Sequence, residues 1–211
     1  RVNTVREAAD LVLCILPFEK AVYDRHGIDA VFVGHPKADS IPTDIDIASA
    51  REVLGLGDAP VVAILPGSRG SEVSRLGPLF LQAAMQMRAA SPELQFVIPA
   101  ATAKMRTLIE AQLAEAGATD RFIITDGGSI EVMAAADIVL LASGTAALDS
   151  ALLCKPTVAA YQVSRLSAII LRLFKLLKTD YFTLPNLLTE VPVIPEFIQE
   201  AATPEALAAE V

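Results

Sequence analysis

Residues 63–73 read AILPGSRGSEV: an apolar run closes on Pro66-Gly67, a serine and an arginine follow, and a second glycine precedes the first charged helix-like spacing. A chain that leaves a buried strand through Gly-Ser-Arg sets amides, a hydroxyl and a guanidinium at that strand's carboxyl end. Gly67 and Gly70 permit positive φ and close approach, so consecutive amides can converge on one oxygen. Ser68 adds a hydroxyl, and Arg69 a rigid cationic fork suited to phosphate. Pro78 suits the first turn of a helix, so the pattern predicts a helix over 78–90 and a long loop over 68–77. On these residues alone, a strand-to-helix loop with a solvated arginine is an equal alternative.

On either side of this stretch, short apolar runs alternate with helical spacing. Strands are predicted at 10–17, 30–34, 61–65, 94–99, 122–125, 138–142 and 157–161, with helices at 103–117, 130–136 and 145–154 between the later ones. The strands are continuous apolar segments, as when helices cover both faces of a sheet. Such repetition means right-handed βαβ units and a parallel, doubly wound, Rossmann-like α/β fold. The polar, proline-containing stretch HPKADSIPTDID (35–46) breaks the pattern and reads as a linker. The expected organisation is the tail of one domain (1–38), a linker (39–46) and most of a second domain (47–211). The chain opens on Arg1, and its last helical spacing runs from Thr203 to the final residue, which reads as an internal piece of a longer protein.

In a doubly wound sheet, ligands collect outside the carboxyl ends of the strands, and two further stretches point there. LLASGTAALDS (140–150) repeats the first logic: an apolar strand, then Ser143-Gly144-Thr145, then a helix whose first-turn amides form an anion site. Asp149 lies four residues past Thr145 and on the same face, where a carboxylate can accept from a ribose diol. Helix capping, with Asp149 complementing the dipole, is the plainer alternative. DYFTLPN (180–186) sets Asn186 after an apolar turn, beside the same crevice.

Composition narrows the classes. The 211 residues are 53% hydrophobic, contain no Trp and carry a formal net charge of −8, which argues against wholesale nucleic-acid binding. Cys14 and Cys154 lie in apolar runs, as small buried thiols do, and fit a reducing compartment. No uncharged run reaches the roughly 18 residues of a spanning helix. His26 and His35 are isolated and no Asp-x-Asp motif lies near the loops, so no metal or other cofactor is expected.

The motifs LPFEKAVYDRHGI, VFVGHPKAD, LPGSRGSEV, LLASGTAALDSAL, KTDYFTLPNLL and IPEFIQ occur in this order over almost the whole chain. Together they resemble the lipid-A-disaccharide synthases, glycosyltransferases of the two-domain GT-B architecture. The resemblance implies transfer of 2,3-diacylglucosamine from UDP to 2,3-diacylglucosamine 1-phosphate, with inversion and release of UDP. It implies that the carboxyl-terminal domain holds the UDP-sugar. Gly67, Ser68 and Arg69 would then meet the pyrophosphate, Ser143, Gly144 and Thr145 would form the second phosphate loop, and Asn186, Glu196 and Gln199 would line the donor pocket. The family usually has Glu where Asp149 stands; Asp reaches one methylene less.

Inverting transfer needs a base for the acceptor hydroxyl and stabilisation of departing UDP, assigned to Arg69 and the loop amides. The resemblance places the base in the amino-terminal domain, outside this chain, so the chain alone is expected to be inactive. His35, in the linker, reads as a hinge residue rather than a substitute base. SRLSAIILRLFKLLK (164–178) has no acidic residue. On a wheel Leu166, Ile169, Ile170, Leu173, Phe174, Leu176 and Leu177 oppose Arg165, Arg172, Lys175 and Lys178, the pattern of an interfacial helix; an ordinary covering helix is the alternative. With acylated substrates, this implies a cytoplasmic protein peripheral on the inner face of a bacterial inner membrane. Two other readings stay open: a UDP-N-acetylglucosamine epimerase-like enzyme, and a non-catalytic nucleotide- or membrane-binding module.

Overall fold

The chain divides into two units, Arg1–Thr43 and Asp44–Val211, and the computed structural model describes residues 2–42, 45–163 and 181–211. In the first unit a helix, α1 (Val2–Ala8), precedes a small βαβ arrangement. Strand β1 (Val12–Cys14) pairs in parallel with β2 (Ala30–Phe32), and α2 (Pro17–Asp24) connects them. Pro17 opens α2, and Glu19 accepts from the amides of Ile15 (3.0 Å) and Leu16 (2.8 Å), satisfying donors that a helix start leaves over. Cys14 is buried, whereas Leu13 and Val33 are open to solvent. Residues 36–40 form a short helix, α3 (Pro36–Ser40), inside the stretch expected to be a linker. His35 caps it, Nδ1 accepting from the Lys37 amide at 3.2 Å.

The second unit starts with α4 (Ile47–Val53), capped by the Asp46 carboxylate. It then builds a parallel sheet from β3 (Val61–Leu65), β4 (Gln95–Ala100), β5 (Ile123–Asp126), β6 (Ile138–Ala142), β7 (Thr157–Tyr161) and β8 (Glu196–Ile198). The strand order is β5-β4-β3-β6-β7-β8. Every residue of β3 is buried, as expected of a central strand covered on both faces. Helices α5 (Gly70–Ala90), α6 (Ala103–Glu115) and α10 (Pro204–Glu210) pack together, while α7 (Ser129–Ala135) packs with α4 and α8 (Thr145–Leu152) with α9 (Leu184–Leu188). Phe80, Phe96, Ile98, Ile109 and Leu207 centre the core on the α5, α6 and α10 side. This is the expected doubly wound α/β sheet.

Three expectations are corrected. The helix over 78–90 begins eight residues earlier, at Gly70, with Pro78 inside it. Proline disfavours helical backbone at the preceding residue by clashing with its Cβ, and Gly77 has none. A Cβ there would also run into the Gln112 side chain of α6, so glycine admits the proline and leaves room for that glutamine. Gln112 Nε2 donates to the Val73 carbonyl (3.1 Å). Second, Cys154 is exposed and left-handed (φ 53°), because α8 ends just before it and the chain reverses there. Third, β8 was not predicted: three residues with a leading glutamate carry no strand signal of their own.

Candidate functional site

From β3 the chain adds β4 and β5 on one side, then returns to place β6 against the other flank of β3. The Leu65–Leu141 pairing fixes β3 and β6 in parallel register. Residues 66–69 and 143–145 therefore leave neighbouring strands about 4.8 Å apart, at the carboxyl rim where the winding reverses. That reversal is where open α/β sheets form their ligand crevice.

The first loop is held by one carboxylate. Gly67 has φ +122°, and a Cβ there would sit 2.6 Å from Glu72 Cβ, so only glycine fits. Glu72, in the first turn of α5, accepts from the amides of Ser68 (3.1 Å) and Arg69 (3.3 Å) and pairs with the Arg69 guanidinium at 2.7 Å. The Arg69 side chain is 78% exposed, so its fork stands in solvent at the rim. Gly70 does not adopt positive φ; it is the first residue of α5, and a Cβ there would make ordinary contact with Met105.

In the second loop the Ser143 amide donates to the Ala160 carbonyl of β7 at 2.8 Å, closing the strand end. Gly144 is extended (φ 169°), and Thr145 opens α8. The first amides of α8 have no carbonyl of their own helix to meet, so this turn brings donors to the rim. Asp149 is 5% exposed, within the buried face of α8 that also carries Ala147, Leu148 and Ser150.

The third group gathers around edge strand β8, two strand positions beyond β6, or about 10 Å. Asn186 is 2% exposed and satisfied by protein on both sides. Its Nδ2 donates to the Ile194 carbonyl and to Glu196 Oε1 (both 2.7 Å), and its Oδ1 accepts from the amides of Val193 (2.8 Å) and Ile194 (2.9 Å). Glu196 also accepts from the amides of Phe182 (2.7 Å) and Thr183 (3.0 Å) and from the Thr183 hydroxyl (2.6 Å). Asn186 and Glu196 thus lock the 182–196 segment onto the sheet. Gln199, just past β8, is held at φ +52°, a left-handed conformation unusual for a non-glycine residue.

Sequence reasoning missed three supporting residues. Glu72 was legible, because an acidic residue at the third helical position is a helix-start signal, but placing the helix at 78 hid it. Gln162, after β7, donates to the carbonyls of Gln199 (3.1 Å) and Ala202 (3.3 Å). Arg75 of α5 reaches the Gln162 carbonyl at 3.0 Å. Nothing local in the sequence marks either. At the opposite rim, Asp137 accepts from Arg51 (2.7 Å) and the Val61 amide (2.8 Å), and Lys155 donates to the Ala136 carbonyl (2.8 Å). Burial pushes the Lys155 pKa down, against the pull of Asp137. These groups fasten strand starts and lie away from the crevice.

The basic apolar stretch 164–178 lies outside the described residues. Among the described residues, no helix is long and apolar enough to cross a membrane.

A family model described as lipid-A-disaccharide synthetase matches residues 1–211. The lipid-A-disaccharide synthase of Pseudomonas aeruginosa (strain UCBPP-PA14) is 48% identical over 210 residues, covering 99% of this chain and 55% of its own length. The chain spans about half the length of the curated relatives it matches. Among solved structures, the chain is similar to E. coli ADP-heptose LPS heptosyltransferase II (TM-score 0.55, 14% identity, 79% of this chain and 51% of that one). It is also similar to UDP-GlcNAc 2-epimerase from Neisseria meningitidis bound to UDP-GlcNAc (TM-score 0.60, 12% identity, 98% and 53%). At such identities the likeness is one of fold, the GT-B type, which a transferase and an epimerase share.

Proposed function

This chain belongs to the lipid-A-disaccharide synthetase family, and on that premise we propose that it is the donor-binding part of an inverting glycosyltransferase. The reaction moves 2,3-diacylglucosamine from UDP to 2,3-diacylglucosamine 1-phosphate and releases UDP. The observation that carries the reading is the departure of the 66–69 and 143–145 loops from adjacent parallel strands at the winding reversal.

In this reading the UDP diphosphate lies between the loops. Gly67 admits it, Ser68 and Arg69 bind it from one side, and Ser143, Gly144 and Thr145 from the other. As the glycosidic carbon leaves, negative charge grows on the diphosphate, and Arg69 with the loop amides opposes that charge where it forms. The nucleoside extends across β7 toward β8. Asp149 takes the ribose only if the start of α8 adjusts around its buried carboxylate. Gln199 lines the far end, while Asn186 and Glu196 act by holding the turn that shapes the pocket. Residues 1–38 belong to the acceptor domain, 39–46 link it to the donor domain, and the base that takes the acceptor proton lies outside residues 1–211. The chain alone is therefore expected to bind UDP and turn nothing over. Residues 164–178 supply the contact with anionic lipid, since acylated sugars must be collected from a bilayer surface.

Calorimetry with UDP on the parent chain and on Arg69→Ala tests the assignment. Loss of a charge-assisted phosphate contact costs roughly 1.5–3 kcal/mol, about ten- to 150-fold in affinity. Equal affinities would mean that Arg69 points away from the ligand.

A further inference from the structure

The rim carries an anion of its own. Two amides and a guanidinium of the first loop converge on the Glu72 carboxylate, and these are the donors the diphosphate needs. Capping alone does not set this arrangement apart. Glu19 takes the amides of Ile15 and Leu16 at the start of α2 in the same way. What differs is the third donor, Arg69, and the left-handed Gly67 that leaves room only for the Glu72 side chain. A carboxylate presents two oxygens to the same fork and amides that would receive two phosphate oxygens.

We propose that Glu72 is a positioning residue that occupies the phosphate site from within. It holds the Ser68 and Arg69 amides and the Arg69 fork, and yields them to the donor diphosphate on binding. This rests on the donor reading of the rim. Glu72 sits in the first turn of α5 and cannot leave the neighbourhood when displaced. Its charge then opposes the bound diphosphate, keeps UDP binding weak and favours release of UDP as product.

The test is UDP calorimetry on the full chain carrying Glu72→Gln, with Glu19→Gln as control. Glutamine keeps an acceptor for the helix start but removes the charge. Glu72→Gln should bind UDP about two- to fivefold more tightly, the scale of one exposed charge interaction, and Glu19→Gln should match the parent. A second measurement needs no variant: on UDP addition to the parent chain, the Ser68 and Arg69 amide resonances and the Glu72 side-chain carboxyl resonance should move together. Unchanged or weaker binding by Glu72→Gln, or a carboxyl resonance that ignores UDP, would overturn the exchange while Arg69→Ala still weakened binding. Absence of UDP binding in parent and variants alike would instead remove the donor reading, and this inference with it.

Discussion

Replacing Asn186 by alanine removes four hydrogen bonds from a residue 2% exposed. Val193 is more than half exposed, so its amide finds water and little is lost there. Ile194 is 5% exposed, and its amide and carbonyl are left without partners in the protein interior. Each such orphan costs about 1–3 kcal/mol, against a net 0.5–1.5 kcal/mol for an ordinary bond. Glu196 keeps its bonds to Phe182 and Thr183, which limits the loss on that side. The two orphans together cost roughly 2–6 kcal/mol. Equilibrium unfolding in urea reads this as a fall in midpoint of about 1–3 M at the slopes usual for chains of this size. UDP affinity among the folded molecules should change less than in Arg69→Ala. A variant losing under about 1 kcal/mol of stability while its UDP affinity collapses would show instead that Asn186 touches the ligand rather than holding the turn.

Gly67→Ala should cost about 1–3 kcal/mol, since the φ of +122° and the Glu72 side chain both exclude a Cβ; thermal unfolding as stable as the parent would show that the loop tolerates one. Leu173→Asp combined with Phe174→Asp should abolish co-sedimentation with anionic liposomes and leave the circular dichroism of the chain intact. Retained co-sedimentation would remove the membrane role from residues 164–178.

The sheet was the legible part. β3, β6 and β7 occupy 61–65, 138–142 and 157–161 as predicted, because central strands of a parallel sheet are continuous apolar runs with sharp ends. The two loops were legible for a related reason: Gly-Ser-Arg and Ser-Gly-Thr each follow such a run directly, so the strand fixes where they stand. What escaped depends on partners distant in sequence. Pro78 reads as a helix start until Gly77 is seen to face Gln112, 35 positions on. β8 exists because β7 offers an edge, with Glu196 opposite Ala159. Asn186 reads as a polar group beside a crevice, and only the fold shows it bonded to Val193, Ile194 and Glu196. The Cys154 run is apolar, yet α8 ends within it and turns the thiol outward.

A crystal structure of the chain with UDP shows whether one diphosphate bridges the loops after β3 and β6. Phosphate oxygens are expected within hydrogen-bonding distance of Arg69 and the Ser68 amide on one side and of the first amides of α8 on the other, with the Glu72 carboxylate withdrawn. UDP bound away from the β3–β6 rim, or its phosphates touching only one of the two loops, would contradict that bridge.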